Sequence, residues 1–234
     1  MGKMGLGYGS EYQLLRFLGH HRNELEQKIL KNTKINENLD YGMEWLDFPK
    51  DNKRKSLDGE YVGINFLDKK IINKLSQSWK KYWPQKKGIH NWDAILYLSP
   101  IIPNSPLNDQ WILIEAKGRL KEGIEDGSGA TDPKSIEIIN KAFESTKKRF
   151  NIKTQNDWLK KYYQFANRLA FINFLLDNGI QCSLLYIYFI NAWPGKPENV
   201  LTKDPWKELI HEEYSYLGIN NDAKRYISEI FVEC

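Results

Sequence analysis

Two short apolar runs in the middle of the chain contain acidic residues. The first, residues 89–98, reads Ile-His-Asn-Trp-Asp-Ala-Ile-Leu-Tyr-Leu, and the second, residues 111–118, reads Trp-Ile-Leu-Ile-Glu-Ala-Lys-Gly. Short runs rich in aliphatic and aromatic residues are typical of strands that are buried on both faces. The pattern therefore predicts two neighbouring buried strands, which are joined by a loop at residues 100–109 that contains three prolines.

Helices are predicted before and after these strands. Residues 10–32 place apolar side chains at helical spacing, and Ser10 and Gln13 have the spacing of a capping box at the start of this segment. Three further segments have a helical pattern, at residues 67–83, 133–150 and 155–178. Pro84 ends the first of them, Pro133 suits the first turn of the second, and Gly179 suits the end of the third.

The remaining pattern adds strands and one more helix. Strands are predicted at residues 44–48 and 183–190, a helix at residues 204–217 and an edge strand at residues 226–232. No internal repeat and no long polar linker divides the sequence. We therefore expect one α/β domain over residues 1–234.

The composition narrows the class of protein. Hydrophobic residues make up 41% of the chain, which is ample for a core, and the formal net charge of +4 permits a nucleic-acid partner without demanding one. No run approaches the roughly 20 apolar residues of a membrane span, and the first residues lack the apolar region of a signal peptide. The two cysteines, Cys182 and Cys234, give neither a disulfide framework nor zinc-site spacing. We expect a cytoplasmic protein that does not bind membranes.

The acidic residues of the two central strands point to metal chemistry. Glu115 and Lys117 are two residues apart, so their side chains lie on the same face of a strand. Asp93 on the adjacent strand and Glu115 could share one Mg²⁺, which proteins hold with one or two carboxylates plus water and phosphate oxygens. Lys117 could then orient or activate a water molecule and stabilise a charged transition state. The alternative is a cross-strand salt bridge between Lys117 and an acid.

With these residues the chain resembles the PD-(D/E)xK nuclease superfamily. Asp93 matches the first acid, Glu115 the second and Lys117 the lysine, although Trp92 stands where the family pattern has proline. The resemblance implies an α/β, restriction-endonuclease-like fold with an αβββαβ core and a mixed central sheet flanked by helices. It covers residues 10–190, and residues 191–234 would form an extension with a helix and an edge strand.

The resemblance also implies an activity and further site residues. It predicts a Mg²⁺-dependent nuclease, with Mn²⁺ as a substitute, that hydrolyses phosphodiester bonds of DNA. Many members carry an acid on the first core helix, which makes Glu11 a candidate third metal ligand; the alternative is that Glu11 only complements the helix dipole. In several branches a Gln or Arg on the helix after the triplet strand reaches the active site, which makes Gln164 and Arg168 candidates; a structural hydrogen bond is the alternative for Gln164.

Nucleic-acid contacts are predicted from a run that alternates aromatic residues and lysines. Lysines neutralise phosphates and aromatic faces can stack on bases, and the candidate residues before the first site strand are Lys80, Lys81, Lys86 and Lys87, with Arg168 added from the helix. The alternative is one helix with a solvated face and a packing face. Two other functions stay open: a catalytically silent nucleic-acid-binding or scaffold protein, and an RNA-directed nuclease. The oligomeric state is open, with a homodimer among the alternatives.

Overall fold

The computed structural model describes residues 8–33, 41–46, 48–49, 59–85, 89–101, 108–124 and 127–234. The helices are α1 (Ser10–His20), α2 (Arg22–Asn32), α3 (Lys69–Tyr82), α4 (Pro133–Arg149), α5 (Tyr163–Asp177), α6 (Asp204–Leu217) and α7 (Asn221–Lys224). The strands are β1 (Tyr41–Trp45), β2 (Tyr61–Val62), β3 (Asn91–Trp92), β4 (Ala94–Pro100), β5 (Gln110–Lys117), β6 (Cys182–Ile190) and β7 (Ile227–Glu233). In this described part of the chain, no helix combines the length and apolar character needed to cross a membrane.

A five-stranded mixed sheet forms the centre of the protein. Its strand order is β1-β4-β5-β6-β7, and a separate two-stranded sheet pairs β2 with β3. The pairs β1–β4 and β4–β5 are antiparallel, whereas β5–β6 and β6–β7 are parallel. Parallel neighbours need crossover connections, and helices supply them: α4 and α5 connect β5 to β6, and α6 and α7 connect β6 to β7. The chain is a mixed α/β protein.

The two faces of the sheet are covered by different helices. On one face, Ile112 and Ile114 of β5 pack in a cluster with Leu14 of α1 and Leu25 of α2. On the other face, apolar side chains of α3 to α6 form a larger cluster with the sheet residues Leu113, Leu184, Tyr186 and Tyr188. Because side chains alternate along a strand, Glu115 and Lys117 point to the same side as Leu113. The charged residues of the triplet therefore lie under α5 and α6.

Two parts of the helix predicted at residues 10–32 differ from expectation. The segment is two helices, because His21 has φ −126° and ψ 29°, outside the helical region. The break lets α1 and α2 both bury apolar residues in the same cluster. Ser10 is also not the N-cap: Gly9 precedes the helix with φ +99°, and no side chain caps it. A positive φ of this kind favours glycine, so the chain turns into the helix one residue earlier than the capping-box pattern indicates.

The helix predicted at residues 155–178 is shorter than expected. It begins at Tyr163, after a loop in which Asn151 and Tyr162 adopt left-handed conformations with φ 53° and 54°. Trp158 and Tyr162 are each 1% exposed, so these aromatic side chains anchor the loop in the core. Both residues lie within the segment that was predicted to be helical. The predicted strand at residues 44–48 is instead Tyr41–Trp45, and the predicted strand at residues 89–98 is interrupted at Asp93.

Other predictions of secondary structure are confirmed. Helix α4 begins at Pro133, helix α6 spans the predicted residues, and β7 is an edge strand beside β6. The C-terminal region also belongs to the main core. Trp206 and Leu217 of α6 are fully buried in the cluster formed by α3, α4 and α5. Residues 191–234 are therefore part of one packed unit with the preceding chain.

Candidate functional site

The structure brings Asp93 and Glu115 together at the end of the β4–β5 ladder. Ala94 and Ile114 are the ladder partners at this end, and Asp93 and Glu115 are the residues next to this pair. The Asp93 amide donates to the carbonyl oxygen of Ile114 at 3.2 Å, and its carboxylate oxygen Oδ2 accepts from the Ala116 amide at 2.7 Å. The neighbouring strand thus fixes the Asp93 carboxylate next to Glu115.

Glu115 is at the centre of a buried charged cluster. Its Oε1 accepts a hydrogen bond from Lys117 Nζ at 2.9 Å, and its Oε2 accepts one from Arg168 Nε at 2.9 Å. Glu115 is 3% exposed, and Lys117 and Arg168 are each 6% exposed. Two cations therefore compensate a carboxylate that would otherwise be costly to bury.

The start of α5 supplies the polar side chains that surround this cluster. The side-chain oxygen of Gln164 accepts a hydrogen bond from Lys117 Nζ. One turn later, Arg168 Nη1 donates to Asn167 Oδ1 at 3.1 Å, and the guanidinium lies over the Trp92 ring, 4.9 Å from its centroid. The spacing of four residues puts Gln164 and Arg168 on one face of the helix. The polar stripe of an otherwise apolar helix thus contacts both charged residues of the triplet.

The two carboxyl groups have opposite shifts in pKa. Burial raises the pKa of Asp93 to about 7, and the negative charge of Glu115 adds to this, against the opposing effects of the Ala116 amide, Lys117 and Arg168. Burial would also raise the pKa of Glu115, but the charges and hydrogen bonds of Arg168 and Lys117 outweigh it, so this pKa is lowered. At neutral pH, Glu115 is ionised, whereas Asp93 titrates.

A small cavity adjoins Lys117. It has a volume of about 10 Å³ and is lined by Lys117, Gly123, Tyr162, Gln164, Phe165, Tyr186, Tyr188, Leu209 and Glu213. A space of this size holds about one water molecule. Burial raises the pKa of Tyr186 and Tyr188 well above the usual value, and the negative charge of Glu213 adds to both shifts. The cavity therefore joins the triplet lysine to the phenols of β6 and to a carboxylate of α6.

Two polar residues near the site were missed from the sequence. His90 is fully buried and its Nε2 lies 2.7 Å from the Asn167 carbonyl oxygen. Burial and the charge of Arg168 lower the pKa of His90 well below its usual value, so His90 is a neutral support for the start of α5. Glu213 has a signal in the sequence that could have found it, because it stands on the buried stripe of α6 among apolar residues.

The structure does not place Glu11 with the other two acids. Glu11 is an exposed residue in the first turn of α1. The start of this helix does lie against the end of β5, because a Cβ atom on Gly118 would be 2.8 Å from the Ser10 amide nitrogen. Among the described residues, however, no group of three His, Cys, Asp or Glu side chains is arranged to hold a metal ion. The geometry thus gives Asp93 and Glu115, without Glu11, as the candidate ligands.

The structure describes only two of the four lysines that are predicted to contact nucleic acid. Lys80 and Lys81 are exposed in the last turn of α3, whereas Lys86 and Lys87 lie outside the described residues. The aromatic residues of the same run pack inward, since Trp79 is 4% exposed and Trp83 is fully buried. The alternation of aromatic residues and lysines therefore reflects a helix with a packing face and a solvated face, which leaves these two rings unable to stack on bases.

Arg168 is not the solvent-exposed nucleic-acid contact that the sequence predicts. Its side chain is buried and its Nε donates to Glu115. A buried cation beside a carboxylate is more stable than one without a partner, so in this structure Arg168 orients Glu115 and presents no charge to solvent.

Comparison with known proteins gives no guide to this site. No family model, no curated protein and no solved structure matches the chain. The functional interpretation below therefore depends on the geometry and chemistry of the site.

Proposed function

We propose that the protein is a metal-dependent nuclease that hydrolyses phosphodiester bonds of DNA. The observation that carries the proposal is the cluster in which the half-buried Asp93 and the buried Glu115 lie at one end of the β4–β5 pair, with Lys117 beside Glu115. Gln164 on the following helix accepts a hydrogen bond from the same lysine. Two acids, a lysine and a polar group from that helix are the side chains that the resemblance to PD-(D/E)xK nucleases predicts for an active site.

The order of elements supports a restriction-endonuclease-like core. Helices α1 and α2 are followed by β1, β4 and β5, then by α4 and α5, and then by β6. This is an αβββαβ order, with the triplet at the end of its third strand. The short sheet β2–β3 and helix α3 stand between β1 and β4 as an insertion, and β7 extends the sheet beyond β6. We infer that these are elaborations of the same core.

The carboxylates have the chemistry of a Mg²⁺ or Mn²⁺ site. Asp93 and Glu115 offer oxygen donors at the end of one strand pair, and the raised pKa of Asp93 reflects burial together with repulsion from Glu115. A divalent cation between them would remove that repulsion, and proteins hold Mg²⁺ with one or two carboxylates plus waters and substrate oxygens. When bound, such an ion polarises a scissile phosphate and lowers the pKa of a bound water.

The side chains of the cluster would hold the cation, stabilise the charge of the transition state and orient one another. Asp93 and Glu115 would hold the cation, while Arg168 fixes the rotamer of Glu115 through its hydrogen bond to Oε2. Lys117 would direct its ammonium at the negative charge that develops on the phosphate, since positioned charges in a water-poor site stabilise transition states strongly. Gln164 would fix the direction of that ammonium.

One observation favours a second candidate function. Each oxygen of Glu115 already accepts a hydrogen bond from a cation, Oε1 from Lys117 and Oε2 from Arg168. The carboxylate is therefore neutralised without a metal, as suits a catalytically silent nucleic-acid-binding or scaffold protein of the same fold. An RNA-directed nuclease would use the same hydrolytic chemistry. Cleavage assays on DNA and on RNA distinguish the two substrates.

Cleavage assays distinguish these functions. Supercoiled plasmid, single-stranded DNA and single-stranded RNA are incubated with the protein in EDTA, Mg²⁺ or Mn²⁺. We expect metal-dependent cleavage of DNA, and we expect Lys117→Ala to reduce its rate by about 100- to 1000-fold. Lys160→Ala is the matched control because its side chain is 80% exposed; it should cleave at the wild-type rate.

Each other outcome identifies an alternative. Binding that weakens with salt but produces no cleavage with any metal would support the silent binder, and cleavage of RNA alone would support the RNA-directed nuclease. Neither binding nor cleavage of any of the three substrates would contradict every nucleic-acid function.

Gln164→Ala tests the contact of α5 with the triplet. We expect turnover to fall about 10- to 100-fold, as for residues that orient an active group. The free energy of unfolding should fall by only about 1 kcal/mol, because the adjoining cavity admits water in place of the lost oxygen. Gln155→Ala, at an exposed position, is the control. A loss of stability without a loss of turnover would show that Gln164 has a structural role alone.

A further inference from the structure

A third acidic residue is buried close to the triplet. Glu213 of α6 is 6% exposed. It occupies the buried stripe of its helix, whose other members are Trp206, Leu209, Ile210 and Leu217. Apolar residues are the usual occupants of such a stripe, because burying an ionised carboxylate costs several kcal/mol unless a cation compensates it. A cation is therefore expected within reach of Glu213.

Lys117 is a cation that shares a cavity with Glu213. Both side chains line the cavity of about 10 Å³, and Lys117 is the only positively charged residue among the described residues around it. Groups on the walls of a one-water cavity can interact directly or through a single water molecule. Glu115 and Gln164 each accept a hydrogen bond from this ammonium. Glu213 is the only carboxylate lining the cavity in the described part of the chain, so it is the acidic group that shares this space with Lys117.

The other described residues that line the cavity carry no positive charge that could compensate Glu213. Tyr186 and Tyr188 keep their phenolic protons at neutral pH because burial, together with the charge of Glu213, raises their pKa well above the usual value. Phe165 and Leu209 contribute apolar surface to the same cavity. None of these four side chains can neutralise a carboxylate.

We propose that Glu213 is a positioning residue of the site, which fixes the ammonium of Lys117 against Glu115 and Gln164. The proposal rests on the nuclease function proposed above. A lysine side chain is long and flexible, and a misplacement of about 1 Å in an active site can cost about 100-fold in rate. Acceptors on β5, α5 and α6 hold the ammonium from three elements, and the third comes from residues 191–234, beyond the nuclease-like core.

Kinetics of Glu213→Gln test the catalytic part of the proposal. We expect kcat for metal-dependent DNA cleavage to fall about 10- to 100-fold with KM unchanged, as for outer residues that orient an active group. Glu213→Asp should recover part of the loss. Glu208→Gln removes the same charge from an exposed position of the same helix and should leave kcat unchanged. A wild-type kcat in Glu213→Gln, whatever its melting temperature, would overturn the proposal.

Unfolding tests the contact itself without reference to activity. The denaturation midpoints of Glu213→Gln, Lys117→Met and the double variant are compared. If the two side chains interact, the double variant should shift the midpoint by clearly less than the sum of the single shifts. Additive shifts would overturn the contact, and Glu213→Asp replaces Glu213→Gln if the latter does not fold. A wild-type protein that cleaves nothing would refute the nuclease function, while this cycle would still decide whether Glu213 holds Lys117.

Discussion

Replacing Glu115 with glutamine is expected to lower the free energy of unfolding by about 3–5 kcal/mol, the range for breaking a buried ion pair. Glu115 is the shared partner of Lys117 and Arg168, and all three are buried. A glutamine has nearly the same shape, but it removes the negative charge that Lys117 and Arg168 share. Equilibrium denaturation in urea, followed by circular dichroism, measures the loss.

An exposed ion pair provides the control for this prediction. Glu137 on α4 pairs with Lys141 at 2.6 Å, and both side chains are more than half exposed. Glu137→Gln removes an ion pair of the same type from a solvated surface, where such pairs contribute little. We expect its denaturation midpoint to match that of the wild type. If Glu115→Gln also unfolds at the wild-type midpoint, the buried cluster is not a stabilising network.

Replacing Asp93 with asparagine is expected to abolish metal-dependent cleavage while leaving the fold intact. The amide nearly preserves the shape of the side chain, and its oxygen can still accept the hydrogen bond from the Ala116 amide. It supplies no negative charge to a cation, so titration calorimetry with Mn²⁺ should lose its binding signal. Asp204→Asn, on a side chain that is 79% exposed, should bind and cleave as the wild type does.

The pH dependence of Mn²⁺ binding gives a second measurement on Asp93. Its pKa is about 7, so below pH 7 the metal must displace one proton. Affinity should therefore rise about tenfold per pH unit up to pH 7 and then level off. Affinity that does not change between pH 5 and 7 would remove Asp93 from the metal site.

Stability without metal should respond to pH in the opposite direction. The folded-state pKa of Asp93 lies above the ordinary value of 3.8, so the folded protein keeps a proton that the unfolded chain releases. The contribution of this proton is fully present below about pH 4 and is lost as pH rises through 7. Asp93→Asn should remove this part of the pH dependence, which denaturation midpoints between pH 4 and 8 would show.

Local pattern predicted much of the fold. The apolar strand at β6, the helix that begins at Pro133 and the helix α6 follow from short-range periodicity, and the structure has each within a residue or two of the prediction. The break between α1 and α2 at His21 does not follow, because it depends on how both helices pack on the sheet. The loop before α5 was missed for a similar reason: Trp158 continues a helical pattern but is buried in a turn.

The site shows the same division between local and long-range information. The common side of Glu115 and Lys117 follows from strand alternation alone, whereas Gln164 and Arg168 are candidates because the resemblance predicts a Gln or Arg from the following helix. The partners of each charge depend on contacts across long stretches of sequence. Arg168 bonds to a residue 53 positions away, and His90 contacts Asn167, 77 positions away. A pattern within one segment contains no information on such distances.

The two helical crossovers that follow β5 and β6 have a consequence for the course of folding. Gln164 and Arg168 lie in the first crossover and Glu213 in the second, so residues from both crossovers surround the charged residues of β5. Contacts between residues so distant in sequence form slowly, because the intervening chain must be ordered first. While the first crossover is unpacked, Gln164 and Arg168 are not held against Lys117 and Glu115. The complete cluster should therefore form late and cooperatively, and a partly folded chain would have strands β4 and β5 without the contacts that α5 makes with Glu115 and Lys117.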